Sequence, residues 1–177
     1  MKAMILKSPG GTENLAIEDI AVPAIGDNEV LVKVSAISIN PVETKLRQNA
    51  YFLNLVLHLQ DGEAPVILGW DISGVVEATG RSVTRLRKGD EVFGMVNFTG
   101  HGKAYAEYVA AREDHLAIKP RAVTHQEAAA ATLAALTAWQ TLVHYAGVKA
   151  GDRVLIHSAA GESGILRCRS PDIWAPM

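Results

Sequence analysis

The feature that most constrains this chain is a change of texture at Pro120. Before it, short apolar runs ("KAMILK", "LAIED", "EVLVKVSAISI", "PVILGWDISGVVEATG", "EVFGMV", "AYAEYVAA") are separated by the turn-forming stretches "SPGGTEN", "VPAIGDNE" and "RKGD". Runs of this length bounded by Gly, Pro, Asn and Asp read as strands. After it, "THQEAAAATLAALTAWQTLVHYAG" is alanine-rich and helix-forming. "GDRVLIHSAAGESG" then reads as a short apolar strand of the parallel-sheet kind, running into a glycine turn. Many strands, then helix, then a buried strand and a turn predict a small β domain joined to the beginning of an α/β domain. The expected boundaries are 1–123 for the first, 124–164 for the second and 165–177 for a tail that fits neither.

Local chemistry sharpens this. Val30, Val32, Val34 and Ala36 alternate with Leu31, Lys33, Ser35 and Ile37, which predicts a strand. Asn40-Pro41 ends it, because proline lacks the amide a ladder needs. Pro41 and Glu43 are helix-start residues. "YFLNLVLHLQDGE" reads as helix or as strand. Gly69 and Gly74, inside a strand pattern, mark bulges or close backbone approach. Lys88-Gly89-Asp90 is a turn. Thr124 with Glu127 forms a capping box, and Gly147 is placed as a C-terminal stop.

Composition excludes more than it selects. Hydrophobic residues are 49% and charged residues 20%, as in ordinary globular proteins. A net charge of −2 gives no footprint for nucleic acid or an anionic membrane. No apolar run reaches membrane-spanning length, and "MKAMILKSPGG" is too short in its apolar part for a secretion signal. The single cysteine, Cys168, rules out an internal disulfide framework, so a reducing, cytoplasmic setting is expected.

In the glycine turn, Ser158, Gly161 and Gly164 are spaced three apart, with Ala160 between. After a parallel strand, small residues let the backbone approach a pyrophosphate, while the next helix points its free amides at the phosphates. On spacing alone, an ordinary tight connection fits as well.

Seven stretches in order, "MKAM", "SAISINPVETKLR", "PVILGWDISGVVEATG", "KGDEVFG", "AYAEYV", "AALTAWQTL" and "AGDRVLIHSAAG", carry a resemblance. Together they resemble the zinc-independent branch of the medium-chain dehydrogenase/reductase superfamily, the quinone oxidoreductase and enone reductase-like group. The resemblance implies a mainly β fold with helices. A GroES-like β-barrel catalytic domain would be followed by the first helices, strand and glycine turn of a Rossmann α/β domain. It also implies hydride transfer from NADPH to a quinone or α,β-unsaturated carbonyl, a small-molecule partner. Members of that group are roughly twice this length on the usual one-or-two-domain scale.

Beside the resemblance, each candidate keeps its bland reading. Asn40 would hold the nicotinamide amide or the substrate carbonyl; otherwise it is a turn or cap asparagine. The resemblance places Thr137 near the nicotinamide, against a helical threonine bonding its own backbone. Tyr51 would donate a proton or hydrogen bond to the enolate formed by hydride arrival, against a half-buried packing role. Ser158, Ala160, Gly161 and Gly164 would line the cofactor phosphates. Tyr105, Tyr108 and Trp139 read as structural, Trp139 as core. Asp71 reads as the organiser of a barrel loop, and His101 as a solvated loop histidine. No metal is expected: Ile39-Asn40-Pro41-Val42 after the long strand holds no cysteine, Trp70 stands where zinc members carry histidine, and cysteines do not cluster.

From Glu162 the resemblance fails, and Pro171 would break the helix that should follow. A one-base frame change near the codon for Glu162 restores the family's Gly-Gly-Val-Gly turn and its helix, so a frameshifted, truncated Rossmann start is expected. On that reading the chain binds NADPH very weakly and is inactive alone, and its helices self-associate or lack order beyond about Val123. The alternative is a non-enzymatic GroES-like binding or assembly module.

Overall fold

Period-two burial organises the larger sheet. In β3 (Glu29–Ile37), Val30 and Val32 are fully buried while Lys33 and Ser35 are exposed. The strand is flanked by β5 (Asp71–Thr79) and β7 (Tyr108–Arg112). Beyond β5 lie β6 (Glu91–Met95) and the two-residue β8 (Ala117–Ile118), giving the antiparallel order β7-β3-β5-β6-β8. A second antiparallel sheet has the order β2 (Leu15–Asp19), β1 (Lys2–Leu6), β4 (Val66–Ile67). This is a computed structural model; it describes residues 1–59, 65–149, 151–157, 160–161 and 163–164.

Residues 105–107 couple the two sheets. Met4 N donates to Tyr105 O at 2.8 Å and Glu107 N to Lys2 O at 3.1 Å, while Val34 N donates to Glu107 O at 2.9 Å. One segment thus bonds to both β1 and β3, which curls the sheets toward a barrel whose interior holds Val30, Val32, Ile72, Val76, Val92 and Val109. The architecture is the expected one, mainly β with helices.

Both interior glycines do what their positions suggested. A Cβ on Gly74 would lie 2.2 Å from the carbonyl oxygen of Lys33, so β3 and β5 could not pair as closely. The β3–β5 register shifts on either side of this contact, at Leu31/Val32 and Val34/Ala36. Gly69 has φ +91° and lies under the ring of Tyr105, whose Cδ1 a Cβ would meet at 2.5 Å.

The ambiguous stretch after β3 is helical. α1 (Pro41–Gln48) is followed by α2 (Ala50–Leu57). Asn49 starts α2 by accepting from Tyr51 N at 3.0 Å and Phe52 N at 3.2 Å. His58, in the left-handed region, ends it. Leu46, Leu53 and Leu57 are buried with Leu6, Leu68 and Trp70 as a second core.

The chain divides into two compact units, Met1–Ala130 and Ala131–Met177. α3 (His125–Trp139) begins with the expected capping box: Thr124 N donates to Glu127 Oε2 at 2.9 Å, and Glu127 N to Thr124 Oγ1 at 3.2 Å. A wider π-type turn over Gln140–Tyr145 continues it, and Gly147 at φ +58° follows. Two expectations change here. Trp139 is 47% exposed, not core, because the buried stripe runs Ala134, Ala138, Leu142 at spacings of four and Trp139 falls beside it. Residues 152–156 make no strand pairing, and Leu155 is 82% exposed. A strand buried on both faces needs flanking strands, and among the described residues none lies alongside. The tail 165–177, with Cys168 and Pro171, lies outside the described residues.

Candidate functional site

Asn40 sits where β3 gives way to α1. Its φ of −112° and ψ of 158° are extended, and Pro41 follows as the first helical residue. The Glu43 carboxylate folds back onto the cap: Asn40 N donates to Glu43 Oε2 at 2.6 Å. The side-chain amide of Asn40 turns inward. Its Nδ2 donates to Glu43 Oε1 at 3.3 Å and to Asp71 Oδ2, at the start of β5, at 3.0 Å. All three residues are buried: Asn40 and Glu43 are 2% exposed and Asp71 is fully buried. One neutral amide therefore separates two buried carboxylates.

The electrostatics follow. Burial pushes the Glu43 carboxyl above the usual glutamate range, and the Asp71 charge adds to this, against the stabilising bonds from Asn40. Tyr105 is pushed up as well, first by burial and then by the negative potential of Glu43 and Asp71. Its hydroxyl is buried and has no hydrogen-bond partner among the described residues.

Besides Tyr105, the aromatic Trp70 is fully buried, donates from Nε1 to Gly100 O at 2.9 Å and meets Phe98 edge-on at 5.3 Å. Tyr51 is 71% exposed on α2, its ring edge-on to Phe52 at 5.7 Å. That is a solvent-facing position, not the half-buried packing role. His58 Nε2, just past α2, lies 3.2 Å from Thr99 Oγ1. Tyr105 and Ile39 also line a groove of about 450 Å³ with Met4, Leu15, Ile17 and Ile37. His101 is half-buried, not solvated, and borders a separate cavity of about 420 Å³ with Asn97 and Lys103.

The structure thus brings Asn40 together with Asp71, which sequence reasoning left as a loop organiser. It adds Glu43, which sequence reasoning took only as a first-turn acid. Thr137 is exposed on α3 in the second unit, and its carbonyl oxygen accepts from Thr141 Oγ1 at 2.6 Å. Ala160 lies in a turn, Gly161 at a bend and Gly164 in helical backbone, and Ser158 lies outside the described residues.

A second polar network was invisible in the sequence. Ser73 Oγ lies 2.7 Å from His125 Nδ1, His125 Nε2 lies 3.3 Å from Glu91 Oε1, and Lys119 Nζ lies 3.2 Å from Glu91 Oε2. The order serine, histidine, carboxylate is that of a nucleophilic triad. Ser73 is nevertheless fully buried, and its Oγ lies 3.0 Å from Val92 O. The network ties the first residue of α3 to β5 and β6 instead. Among the described residues, no three His, Cys, Asp or Glu side chains gather as a metal site would require, and no helix is long and apolar enough to cross a membrane.

Comparison with known proteins agrees with this architecture. Residues 26–121 match the family model of the alcohol dehydrogenase GroES-like domain. The chain is 39% identical over 171 residues to the quinone oxidoreductase of Homo sapiens, covering 96% of this chain and 49% of that one. It is 36% identical over 172 residues to the chloroplastic NADPH-dependent alkenal/one oxidoreductase of Arabidopsis thaliana, covering 94% and 43%. The solved quinone oxidoreductase of Coxiella burnetii superposes with a TM-score of 0.88 at 36% identity, covering 98% of this chain and 54% of that one. The chain spans about half the length of the curated relatives it matches.

Proposed function

This chain belongs to the alcohol dehydrogenase GroES-like domain family, and from that premise we propose that it is the substrate-side part of a zinc-independent oxidoreductase. The reaction is reduction of a quinone or an α,β-unsaturated carbonyl, with NADPH supplying the hydride. The observation that carries this reading is the buried Asn40–Glu43–Asp71 cluster at the strand-to-helix junction. It holds a hydrogen-bonded amide at the end of β3, with Trp70, next to Asp71, where the resemblance puts a histidine in zinc-using members. Likeness to relatives named quinone and alkenal/one oxidoreductases supports the choice of substrate class.

In this reading the chain's own residues position and stabilise. Asn40 contacts the carboxamide or the carbonyl that reacts, Thr137 faces the nicotinamide side, and the exposed Tyr51 hydroxyl donates to the oxygen where negative charge develops. Ser158, Ala160, Gly161 and Gly164 form the turn beneath the cofactor phosphates. The 177 residues by themselves hold NADPH weakly, and the apolar side of α3 drives self-association.

Two measurements test this. Titrating NADPH against the purified chain, read by nicotinamide fluorescence, should give no micromolar binding. Residues 1–123, grafted in place of the matching segment of a full-length quinone oxidoreductase, should support NADPH-dependent quinone reduction, and Asn40→Ala in the graft should reduce it. A folded graft that binds NADPH but reduces neither quinones nor enones points to the non-enzymatic module.

A further inference from the structure

Ser73, His125 and Glu91 share too few hydrogens for the contacts they make. Ser73 Oγ lies 3.0 Å from Val92 O and 2.7 Å from His125 Nδ1, and His125 Nε2 lies 3.3 Å from Glu91 Oε1. A carbonyl and a carboxylate only accept, so every hydrogen comes from the serine hydroxyl, which has one, or from the imidazole. A neutral imidazole also has one, and two hydrogens cannot make three bonds. With the ring hydrogen on Nε2, Glu91 is bonded, but Ser73 must turn to Nδ1 and leave Val92 O. With it on Nδ1, Ser73 keeps Val92 O, but a bare Nε2 faces a carboxylate. The imidazolium makes all three bonds: Nδ1–H to Ser73, the Ser73 hydroxyl to Val92 O, and Nε2–H to Glu91.

The surroundings hold this geometry in place. Ser73 is fully buried, so water does not replace a missing partner. The Glu91 carboxylate is held below the ordinary glutamate range, first by Lys119. Lys119 is itself buried; its Nζ donates to Val123 O at 2.7 Å and Pro120 O at 3.4 Å and lies 3.2 Å from Glu91 Oε2. The charged groups facing His125 are therefore Glu91 from β6 and, across that carboxylate, Lys119 from the segment after β8. β5 presents the neutral Ser73, and on α3 itself Glu127 is taken by the Thr124 cap. Lys119 occupies the other carboxylate oxygen, so the preference rests on the bonds rather than on net charge.

We propose that this network is a proton-operated clasp fastening the start of α3 to β5 and β6, closed by three bonds when His125 carries both ring hydrogens and one bond short when it carries one. Histidine is the side chain whose charge changes between about pH 5 and 8. The clasp tightens toward the acid end of that range and loosens toward the other, whatever the barrel binds.

Hydrogen exchange in the isotopically labelled full chain tests this. Ala128 and Ala129 are buried near the start of α3, and Val32 in the barrel core serves as reference. Exchange is read as protection relative to the intrinsic rate at each pH, so base catalysis cancels. From pH 8 to pH 5, protection of the two alanines relative to Val32 should rise about fivefold, the effect of one hydrogen bond. Ring nitrogen resonances of His125 should show the hydrogen on Nε2 at the higher pH and on both nitrogens at the lower. Ser73→Ala leaves Nδ1–H without its acceptor, so the rise should disappear. His125→Gln, at a partly exposed position, leaves the core untouched and should hold one level of protection throughout. A neutral ring with its hydrogen on Nδ1 overturns the hydrogen count. Equal protection at both pH values, or a rise that survives in either variant, overturns the clasp.

Discussion

Glu43 holds a charge in a place that resists it. Its carboxyl is raised above the ordinary glutamate range chiefly by burial, so the folded chain binds this proton more tightly than the unfolded chain does. Stability from this group is therefore fully present below the ordinary glutamate value and is lost as pH rises through the raised one. Glu77, Glu91 and Glu127 run the other way, each held below the ordinary range by a cation or by the Thr124 cap. Glu43→Gln isolates the first effect, since the other three groups are common to both proteins. Gln keeps an oxygen for the Asn40 backbone amide and loses the weaker bond from Nδ2, a cost that does not depend on pH. Urea unfolding across about pH 4 to 7 should show the wild type losing ground steadily against the variant. A difference independent of pH would mean that Glu43 titrates as it does in the unfolded chain. Only part of this was legible in the sequence. Asn-Pro-x-Glu announces a helix start, and Asn40 stood out there. That the partner of Asn40 is Asp71, 31 positions on, follows from β3–β5 pairing and from nothing local. The same holds for Ser73 and His125, 52 positions apart.

At the level of elements, legibility follows periodicity. β3 could be read because its burial has a period of two, and the turn at Gly89 because φ +93° there calls for glycine. α2 could not be separated from a strand, since it is apolar nearly all round and only eight residues long; the Asn49 cap decides it. Asn49→Ala should therefore cost about 1 kcal/mol, seen as a lower denaturation midpoint with an unchanged slope. The two glycines on β5 and its following turn separate steric from conformational demands. A Cβ on Gly74 meets the Lys33 carbonyl oxygen at 2.2 Å, backbone that cannot swing aside, whereas a Cβ on Gly89 meets nothing. Gly74→Ala should cost about 3 kcal/mol through separation of β3 from β5, and Gly89→Ala roughly 1–2 kcal/mol from left-handed strain alone. Equal losses in thermal unfolding would show that β3 and β5 yield at the bulge. The run 152–156 reads as a strand in the sequence and pairs with none among the described residues, because an apolar run states that a segment wants burial, not that partners are beside it.

For the whole molecule, the described surface of the second unit sets solution behaviour. Leu136 is 41% exposed, Trp139 47%, Tyr145 86% and Leu155 82%, while alanines take the buried stripe of α3. Large side chains outside and small ones inside invert the usual economy of a helix, and apolar surface of this kind favours association. Covering one such side chain contributes about 1.5–3 kcal/mol, so Leu136→Gln with Trp139→Gln should weaken association by more than tenfold. Both positions lie off the Ala134–Ala138–Leu142 stripe, so helix content by circular dichroism should be unchanged. Sedimentation velocity over a wide concentration range should then show the wild-type chain growing in mean mass with concentration, and the double variant remaining monomeric where the wild type does not. A wild-type chain that stays monomeric at every concentration would show that the exposed face of α3 is tolerated by water as it stands.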